Sequence, residues 1–291
     1  MVPGLPFLWL AVFFVLPFLI VLKISLSDPV TAQPPYRPVL DLGRFAGLRE
    51  FMSGLDFENY ALLLSDDLYF GAAVSSVRIA AVATALLLLI GYPIAYAMAA
   101  APRRWRPFLV ALIILPFWTS FLIRVYAWIG ILKTEGLLNQ ALVGIGAIAA
   151  PLTILNTETA VYIGLVYAYL PFMVLPLYAT LERLDHTLVE AAHDLGCPPW
   201  KAFWTVTLPL SLPGIVAGSL LCFIPIVGEF VVPDLLGGSE TLMIGRTLWS
   251  EFFSNRDWPL ASAVAIVLLA ILVIPIVFYR DVEARRFEAR R

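Results

Sequence analysis

The sequence has little charge and few residues of the types that build soluble or disulfide-bonded proteins. Only 14% of its 291 residues are charged, whereas a soluble domain usually carries about 25%. The net charge of −2 provides no basic field and therefore predicts no nucleic-acid partner. The cysteines Cys197 and Cys222 are too few for a disulfide framework, and we expect both to stay reduced.

The motifs of nucleotide hydrolysis and of common hydrolases are also missing. A phosphate-binding loop needs Gly-Lys-Ser/Thr, but none of Lys23, Lys133 and Lys201 follows a glycine. The sequence contains neither His-Glu-x-x-His nor Gly-x-Ser-x-Gly, so it predicts no catalytic residue. Glu190 and His193 have the spacing of a helical di-metal site. The only other histidine, His186, lies in the same loop, and we therefore predict no metal site.

Long apolar stretches are abundant. Hydrophobic residues make up 61% of the chain and the mean hydropathy is +0.89. A helix needs about 20 mostly apolar residues to cross a bilayer. We predict an all-α membrane protein, a single transmembrane domain over 1–291, with a retained first helix and an external, interfacial segment at 136–156. Six transmembrane helices are expected at about 2–24, 69–101, 107–132, 159–181, 203–232 and 258–280, with an external loop at 27–67 and a cytoplasmic loop at 182–202.

The charges of the loops predict the orientation. Lys and Arg are enriched on the cytoplasmic side of membrane proteins, and an N-in, C-in arrangement satisfies this rule best, although Lys23 and Lys133 oppose it. The cytoplasmic basic residues would be Arg103, Arg104, Arg106, Arg183, Lys201, Arg280, Arg285, Arg286, Arg290 and Arg291. The first external loop is acidic, with Asp28, Asp41, Glu50, Asp56, Glu58, Asp66 and Asp67.

The loop between the fourth and fifth predicted helices contains the most informative motif. Residues 187–196 predict a short helix that ends at Gly196, and Pro198 and Pro199 favour the start of another. Such a helix-turn-helix offers a stiff surface. Ala191 and Ala192 allow a partner's backbone to approach closely, and Glu190 can anchor it. An ordinary amphipathic helix on the membrane surface explains the same residues equally well.

The spacing of this motif resembles the signature loop of binding-protein-dependent ABC importer permeases. Glu190-Ala191-Ala192, three residues, Gly196, nine residues, Val206 and then Leu208-Pro209 follow the family's pattern. The family usually has isoleucine at the position of Val206. In that family the loop forms a coupling helix that sits in a groove of the ATPase subunit. The resemblance therefore implies that Glu190, Ala191, Ala192 and Gly196 are ATPase-coupling residues.

The resemblance extends from Phe57 onward and is strongest to the polyamine branch, in particular to putrescine permeases. The segments that resemble this branch are 115–128, 151–155, 227–233 and 254–259. The resemblance implies the type I importer fold in the bacterial inner membrane and transport of a polyamine, either putrescine or spermidine. The implied partners are a second homologous permease, an ATPase dimer that binds ATP and Mg²⁺, a periplasmic polyamine-binding protein and membrane lipid. No cofactor is implied for this chain itself.

Charged residues inside the predicted spans are candidates for function, because each costs roughly 3 kcal/mol at mid-bilayer. Arg78, Arg124 and Glu229 are such residues, and we expect Arg78 about 15 Å below the outer end of its helix, at about 1.5 Å per residue. A dicationic substrate favours carboxylates and aromatic faces. This predicts a substrate path formed by Glu229, Asp234, Trp118, Tyr126 and Tyr169. Alternatively, Glu229 pairs with Arg124 and only fixes helix packing, with Arg78 as a further buried charge.

A second class of function also fits the composition. A stand-alone secondary transporter or a channel for a small cation would need the same apolar spans. The sequence shows no internal repeat between its halves, so the inverted-repeat architecture of many secondary transporters has no positive support. Loss of uptake on removal of an ATPase, with the ion gradient intact, would distinguish the importer from this alternative.

Overall fold

The computed structural model describes residues 4–39 and 54–288, with side chains up to Val273 except those of Leu5 and His186. Part of the expected external loop, including Asp41 and Glu50, lies outside the described residues, as do the tail residues Arg290 and Arg291. The chain forms two compact units. One comprises Met1–Val74 and Leu242–Arg291, and the other comprises Ser75–Thr241.

The first unit begins with an apolar helical run. It consists of α1 (Gly4–Leu10), a π-helical turn (Ala11–Val15) and α2 (Leu16–Ser25). A short antiparallel hairpin follows, in which β1 (Asp28–Pro29) pairs with β2 (Tyr36–Arg37). Lys23, which opposes the charge rule, donates from Nζ to the carbonyl of Pro38 and lies 4.1 Å from the centre of the Tyr36 ring. Its ammonium therefore holds the hairpin against the end of α2.

The expected external loop also contains α3 (Glu58–Ser65). The buried Asn59 of this helix donates to the carbonyls of Ser25 and Ser27 at 3.1 and 2.9 Å. The first unit is completed by α13 (Ile244–Trp249), a π-helical segment (Ser250–Asn255) and α14 (Trp258–Glu288). Its core includes Leu63, Tyr69, Ala72, Ile244, Leu260, Ala263 and Val264.

The second unit contains most of the long helix α4 (Asp67–Ala100) and a broken helix. The expectation of one continuous helix at 107–132 is wrong, because this part of the chain is broken into two helices. The structure has α5 (Arg106–Ile114), a 3-10 turn (Leu115–Trp118) and α6 (Phe121–Leu132). The axis bends by 87° between Arg106–Trp118 and Phe121–Gly144. The break has a local cause, because Pro116 stands in the tight turn and Thr119 and Ser120 are extended. A short helix, α7 (Leu137–Gly144), lies within the segment expected to be interfacial.

Two long helices form the centre of the second unit. α8 (Glu158–Leu181) is followed by α9 (His186–Asp194) and α10 (Pro199–Ala202), and a π-helical segment (Phe203–Thr207) continues into α11 (Leu208–Val227). The expected extension of this last helix to residue 232 is wrong, because the helix ends at Val227 and α12 (Val231–Leu236) starts after a break. α8 and α11 pack closely because Gly214 and Gly218 of α11 have no side chain, so residues of α8 lie directly against their backbone.

Within residues 4–39 and 54–288, four helices are long and apolar enough to cross a membrane: Pro6–Ser25, Asp67–Ala100, Glu158–Leu181 and Pro199–Val227. The bent pair Arg106–Trp118 and Phe121–Gly144 gives a fifth if it is one span. The last expected span corresponds to α14, whose apolar helix covers Trp258–Val273 in the part with described side chains. The all-α membrane architecture is confirmed, and the count of six spans stays a prediction.

Candidate functional site

An apolar cavity of about 620 Å³ lies in the second unit. The break between α5 and α6 forms one wall, and α8 and the end of α11 form the others. Its lining residues are Phe117, Phe121, Arg124, Ala168, Tyr169, Phe172, Leu220, Leu221, Ile224, Pro225 and Glu229. Most of them are apolar, so the three polar side chains Arg124, Tyr169 and Glu229 set the chemistry of the cavity.

Glu229 lies in the break between α11 and α12 and is only 9% exposed. One carboxylate oxygen, Oε2, accepts a hydrogen bond from the Tyr169 hydroxyl at 2.6 Å, and Oε1 accepts from the backbone N–H of Val231 at 3.0 Å. The carboxylate thus binds the first residue of α12 and connects it to α8. A buried carboxylate with donors on both oxygens is stabilised in position, and each oxygen keeps a lone pair for a further donor.

Arg124 also lines the cavity but does not pair with Glu229. No ion pair joins the two side chains in the described ranges. The guanidinium carbon instead lies 5.2 Å from the centre of the Phe117 ring and 5.9 Å from that of Phe121, while Nε is buried without a hydrogen-bond partner. The alternative in which Glu229 pairs with Arg124 is therefore wrong. Phe121 precedes Arg124 by three positions on α6, so the two side chains share one face of that helix.

Arg78 is not a buried charge. Its side chain is 59% exposed, and Nη2 donates to Glu158 Oε2 at 2.8 Å. Glu158 also accepts from the Tyr162 hydroxyl at 2.6 Å. Since Glu158 is the first residue of α8, Arg78 is level with the start of that helix rather than deep within the bundle. The distance along α4 is as expected, because the helix begins at Asp67, but the exposure of the side chain contradicts its interpretation as a buried charge.

The structure brings together only some of the residues expected in the substrate path. Tyr169 and Glu229 share the cavity and a hydrogen bond. Trp118 and Tyr126 are 82% and 58% exposed and do not line the cavity, and neither does the exposed Asp234 of α12. Sequence reasoning missed the phenylalanines Phe117, Phe121 and Phe172. Their spacing was the available signal, because Phe117 and Phe121 precede Arg124 by seven and three positions, which places all three on one face of a helix.

The helix-turn-helix predicted at 187–199 is confirmed. The N-cap Asp185 accepts from the backbone N–H of Thr187 at 3.0 Å. At the other end Gly196 has a φ of +79°, and the N–H of Cys197 reaches the carbonyl of Ala192 at 3.0 Å. This is the Schellman ending that glycine favours. α9 is thus a stiff, capped element.

The surface of this element is open. Glu190 and Ala191 are exposed and Ala192 is half-buried. Large apolar side chains around them are also exposed, namely Leu188 (48%), Leu195 (90%), Trp200 (68%) and Trp204 (61%). An apolar area of this kind beside a capped helix is typical of a protein-interaction surface.

An ion pair connects two helix ends near α9. Arg106 Nη1, at the start of α5, donates to Glu182 Oε1 at 3.1 Å, just past the end of α8. Hydrogen bonds from Tyr178 and then Arg106 hold the pKa of the Glu182 carboxyl below its usual range. The pair is exposed to solvent, so its contribution to stability is small.

A bundle of membrane-length helices, a cavity with few polar groups and an exposed capped helix together define a membrane transport permease. Residues 91–287 match the family model described as the binding-protein-dependent transport system inner membrane component. The chain belongs to this family and is a multi-pass protein of the bacterial inner membrane. The resemblance inferred from the 190–209 motif is confirmed, and the family is one of transport permeases rather than enzymes.

Named relatives include the spermidine/putrescine transport system permease proteins PotB. The chain is 43% identical to PotB of Haemophilus influenzae over 277 residues, which are 94% of this chain and 90% of that protein. It is 44% identical to PotB of Escherichia coli over 222 residues, or 76% of this chain and 80% of that one. The expected similarity to the polyamine branch is therefore confirmed.

Solved structures show the same fold. The crystal structure of a bacterial ABC transporter that imports the polysaccharide alginate matches with a TM-score of 0.65 at 15% identity, over 96% of this chain and 92% of that one. The MetNI methionine ABC transporter, in an inward-facing conformation, matches with a TM-score of 0.56 at 18% identity, over 75% of this chain and 95% of that one. The chain therefore has the permease fold of type I ABC importers.

Proposed function

We propose that this chain is the membrane-spanning subunit of an ATP-driven importer of polyamines, with putrescine as the expected substrate and spermidine as the close alternative. The observation that carries the proposal is the 43% identity to a spermidine/putrescine permease over 94% of the chain. Six spans and an N-in, C-in orientation belong to the same proposal. In this orientation α9 faces the cytoplasm and the hairpin β1–β2 faces the periplasm.

Glu229 is proposed to receive one ammonium group of the substrate. Its carboxylate is the one acidic side chain that lines the cavity in the described part of the chain, and its oxygens accept donors from Tyr169 and Val231. An alkyl diamine suits an apolar cavity with a carboxylate, because its methylenes meet rings such as Phe172 while the ammonium meets charge. Trp118, Tyr126 and Asp234, which lie outside the cavity, remain proposed residues of the path beyond it.

The exposed helix α9 is proposed to be the coupling helix. Glu190, Ala191, Ala192 and Gly196 would contact an ATPase dimer, and ATP and Mg²⁺ would be bound by those partner chains. A second homologous permease would complete the path, and a periplasmic polyamine-binding protein would deliver the substrate. Nucleotide binding can drive transport only if the two conformations bind the substrate with different affinity. The stiffness of α9 supports this role, because a flexible loop would absorb the motion.

Labelled-putrescine uptake in cells that lack this chain tests the proposal. Wild type, Glu190→Ala, Glu229→Gln and the exposed matched control Glu240→Gln are expressed at equal membrane levels. We expect wild type and Glu240→Gln to restore uptake. Glu190→Ala should abolish it, and Glu229→Gln should reduce it by about tenfold or more, because a charged hydrogen bond contributes about 1.5–3 kcal/mol.

Each alternative gives a different result. Uptake that persists without the ATPase, with the ion gradient intact, would identify a stand-alone transporter or channel. Normal uptake by Glu229→Gln would restrict Glu229 to connecting α8 and α12. If neither putrescine nor spermidine uptake depends on this chain in a strain without other polyamine importers, the substrate proposal is wrong.

A further inference from the structure

The aromatic ring of Phe203 connects the α9–α10 element to a membrane helix. Phe203 is the first residue of the π-helical segment that follows α10. Its ring centre lies 5.6 Å from that of Tyr92 at an interplanar angle of 90°, and 6.3 Å from that of Tyr96 at 85°. Both tyrosines belong to the last turns of α4. Edge-to-face contacts of this kind fix ring direction as well as distance.

Tyr92 is itself held from a second side. Its hydroxyl lies 2.9 Å from Ser211 Oγ on α11, and Ser211 Oγ donates to the carbonyl of Leu208 at 2.9 Å. Because the serine hydroxyl has one proton, the Tyr92 hydroxyl is the donor of the first bond. Both Tyr92 and Ser211 are buried. The end of α4 is therefore held between Phe203 and the first turn of α11.

The segment that contains Phe203 also contacts the exposed helix. α9 packs on α10 and on the π-helical segment. Thr205 Oγ1 of that segment donates to the carbonyl of Lys201 in α10 at 2.8 Å, and the residues at its two ends, Ala202 of α10 and Thr207, are 1% and 6% exposed. The buried flanks leave this segment little freedom to bend, so a displacement of α9 moves the Phe203 ring. π-helical turns are frequent at functional positions in helices.

We propose that Phe203 is a positioning residue that transmits displacement of α9 to α4 through Tyr92 and Tyr96. The proposal rests on the proposed role of α9 as the coupling helix. Without the ring, α9 could still bind an ATPase, but its movement would reach α4 only weakly. Loss of Phe203 should therefore separate ATP hydrolysis from import rather than abolish either activity through misfolding.

The test measures ATP hydrolysed per putrescine imported. The complex of this chain with its partner permease and ATPase is reconstituted in bacterial-lipid vesicles with the binding protein. Phe203→Leu should raise the ratio about 2- to 30-fold, the range expected for loss of a coupling contact. Phe203→Tyr should keep the wild-type ratio. Phe108→Leu is the matched control, because Phe108 is 58% exposed and its ring meets only Trp105 among the described aromatic pairs.

A second variant distinguishes loss of transmission from misfolding of the Phe203→Leu protein. Tyr96 is 47% exposed, so Tyr96→Leu should assemble normally and raise the ratio less than Phe203→Leu. Phe203→Leu combined with Tyr92→Leu should resemble the more affected single variant, because the two rings act as one contact. A wild-type ratio in Phe203→Leu, including one in which import and hydrolysis fall in parallel, would overturn the inference, and so would a wild-type ratio in Tyr96→Leu if Phe203→Leu fails to assemble.

Glu190→Ala separates this inference from the proposed function. If Glu190→Ala impairs import and Phe203→Leu leaves the ratio at the wild-type value, the coupling role of α9 stands and only the transmission through Phe203 is wrong. If Glu190→Ala leaves both import and hydrolysis at wild-type levels, the coupling role of α9 is wrong and this inference fails with it.

Discussion

Gly214 should tolerate no larger side chain, because residues of α8 occupy the space that a side chain at this position of α11 would need. A Cβ atom at Gly214 would lie 2.6 Å from Thr180 Oγ1, 2.8 Å from Thr180 Cβ and 3.1 Å from the carbonyl oxygen of Pro176. Thr180 Oγ1 also donates to that carbonyl at 3.0 Å, which fixes its rotamer. Since Thr180 Cβ is attached directly to the backbone of α8, the contact can be relieved only by moving a helix.

The cost of Gly214→Ala follows from this geometry. Carbon atoms in contact prefer a separation of about 3.5–4.0 Å, so the helices would have to separate by about 0.7 Å or more at this point. Overpacking costs about 1–3 kcal/mol, with the upper part of that range expected here because the contact is with a backbone-attached atom, and alanine regains about 1 kcal/mol over glycine in helix propensity. We therefore expect Gly214→Ala to lower the free energy of unfolding by about 1–2 kcal/mol.

The assay is equilibrium unfolding of the purified chain in detergent micelles, followed by helix content. Gly130→Ala is the matched control, because nothing lies within 4 Å of a Cβ at that position of α6. It should leave the chain as stable as wild type or slightly more stable. Gly218→Ala should cost less than Gly214→Ala, since its nearest neighbour at 2.9 Å is the flexible thioether of Met173. A Gly214→Ala protein as stable as Gly130→Ala would refute the close-packing argument.

Three further predictions concern residues outside the membrane spans. Gly196→Ala should accelerate hydrogen exchange in α9, because a side chain at a φ of +79° costs about 1–2 kcal/mol, and Gly196→Asn should have a smaller effect. Burial raises the pKa of the Asp257 carboxyl in the folded state. The contribution of this group to the stability of the protein therefore decreases as pH rises from 3.8 through the folded-state pKa. Asp257→Asn should thus be at least as stable as wild type at pH 7, whereas Asp257→Ala loses the N-cap bond to Leu260 and about 1 kcal/mol in detergent unfolding. The pKa of Glu182 is lowered in the folded state, so its stabilising effect is lost as pH falls from 4.5 through the folded-state pKa. The Glu182→Gln protein should not show this loss of stability when unfolding is measured as a function of pH.

Local sequence signals predicted several features correctly. Gly196 ends α9 in the left-handed conformation, as the motif indicated. The long apolar runs became helices because the backbone can satisfy its hydrogen bonds in a bilayer only within such elements. The break at Leu115–Trp118 was not predicted, and the fifth span was extended to residue 232 although Pro225 indicates a break close to the observed end of α11 at Val227. Hydropathy does not register a break in an apolar run, so composition extended the helices through these positions.

The sequence by itself determined that this protein lies in a lipid bilayer, where its spans approximately fall, and how the turn at the end of α9 is formed. Each of these depends on residues that are neighbours in the chain, where apolar length and backbone preference act locally. Only the tertiary structure decided the partners of the charges. Arg78 and Glu158 are 80 positions apart, and Tyr169 and Glu229 are 60 apart. Partner choice depends on how α4, α8 and α11 pack and where they bend, and these long-range contacts leave no periodic signal in one sequence.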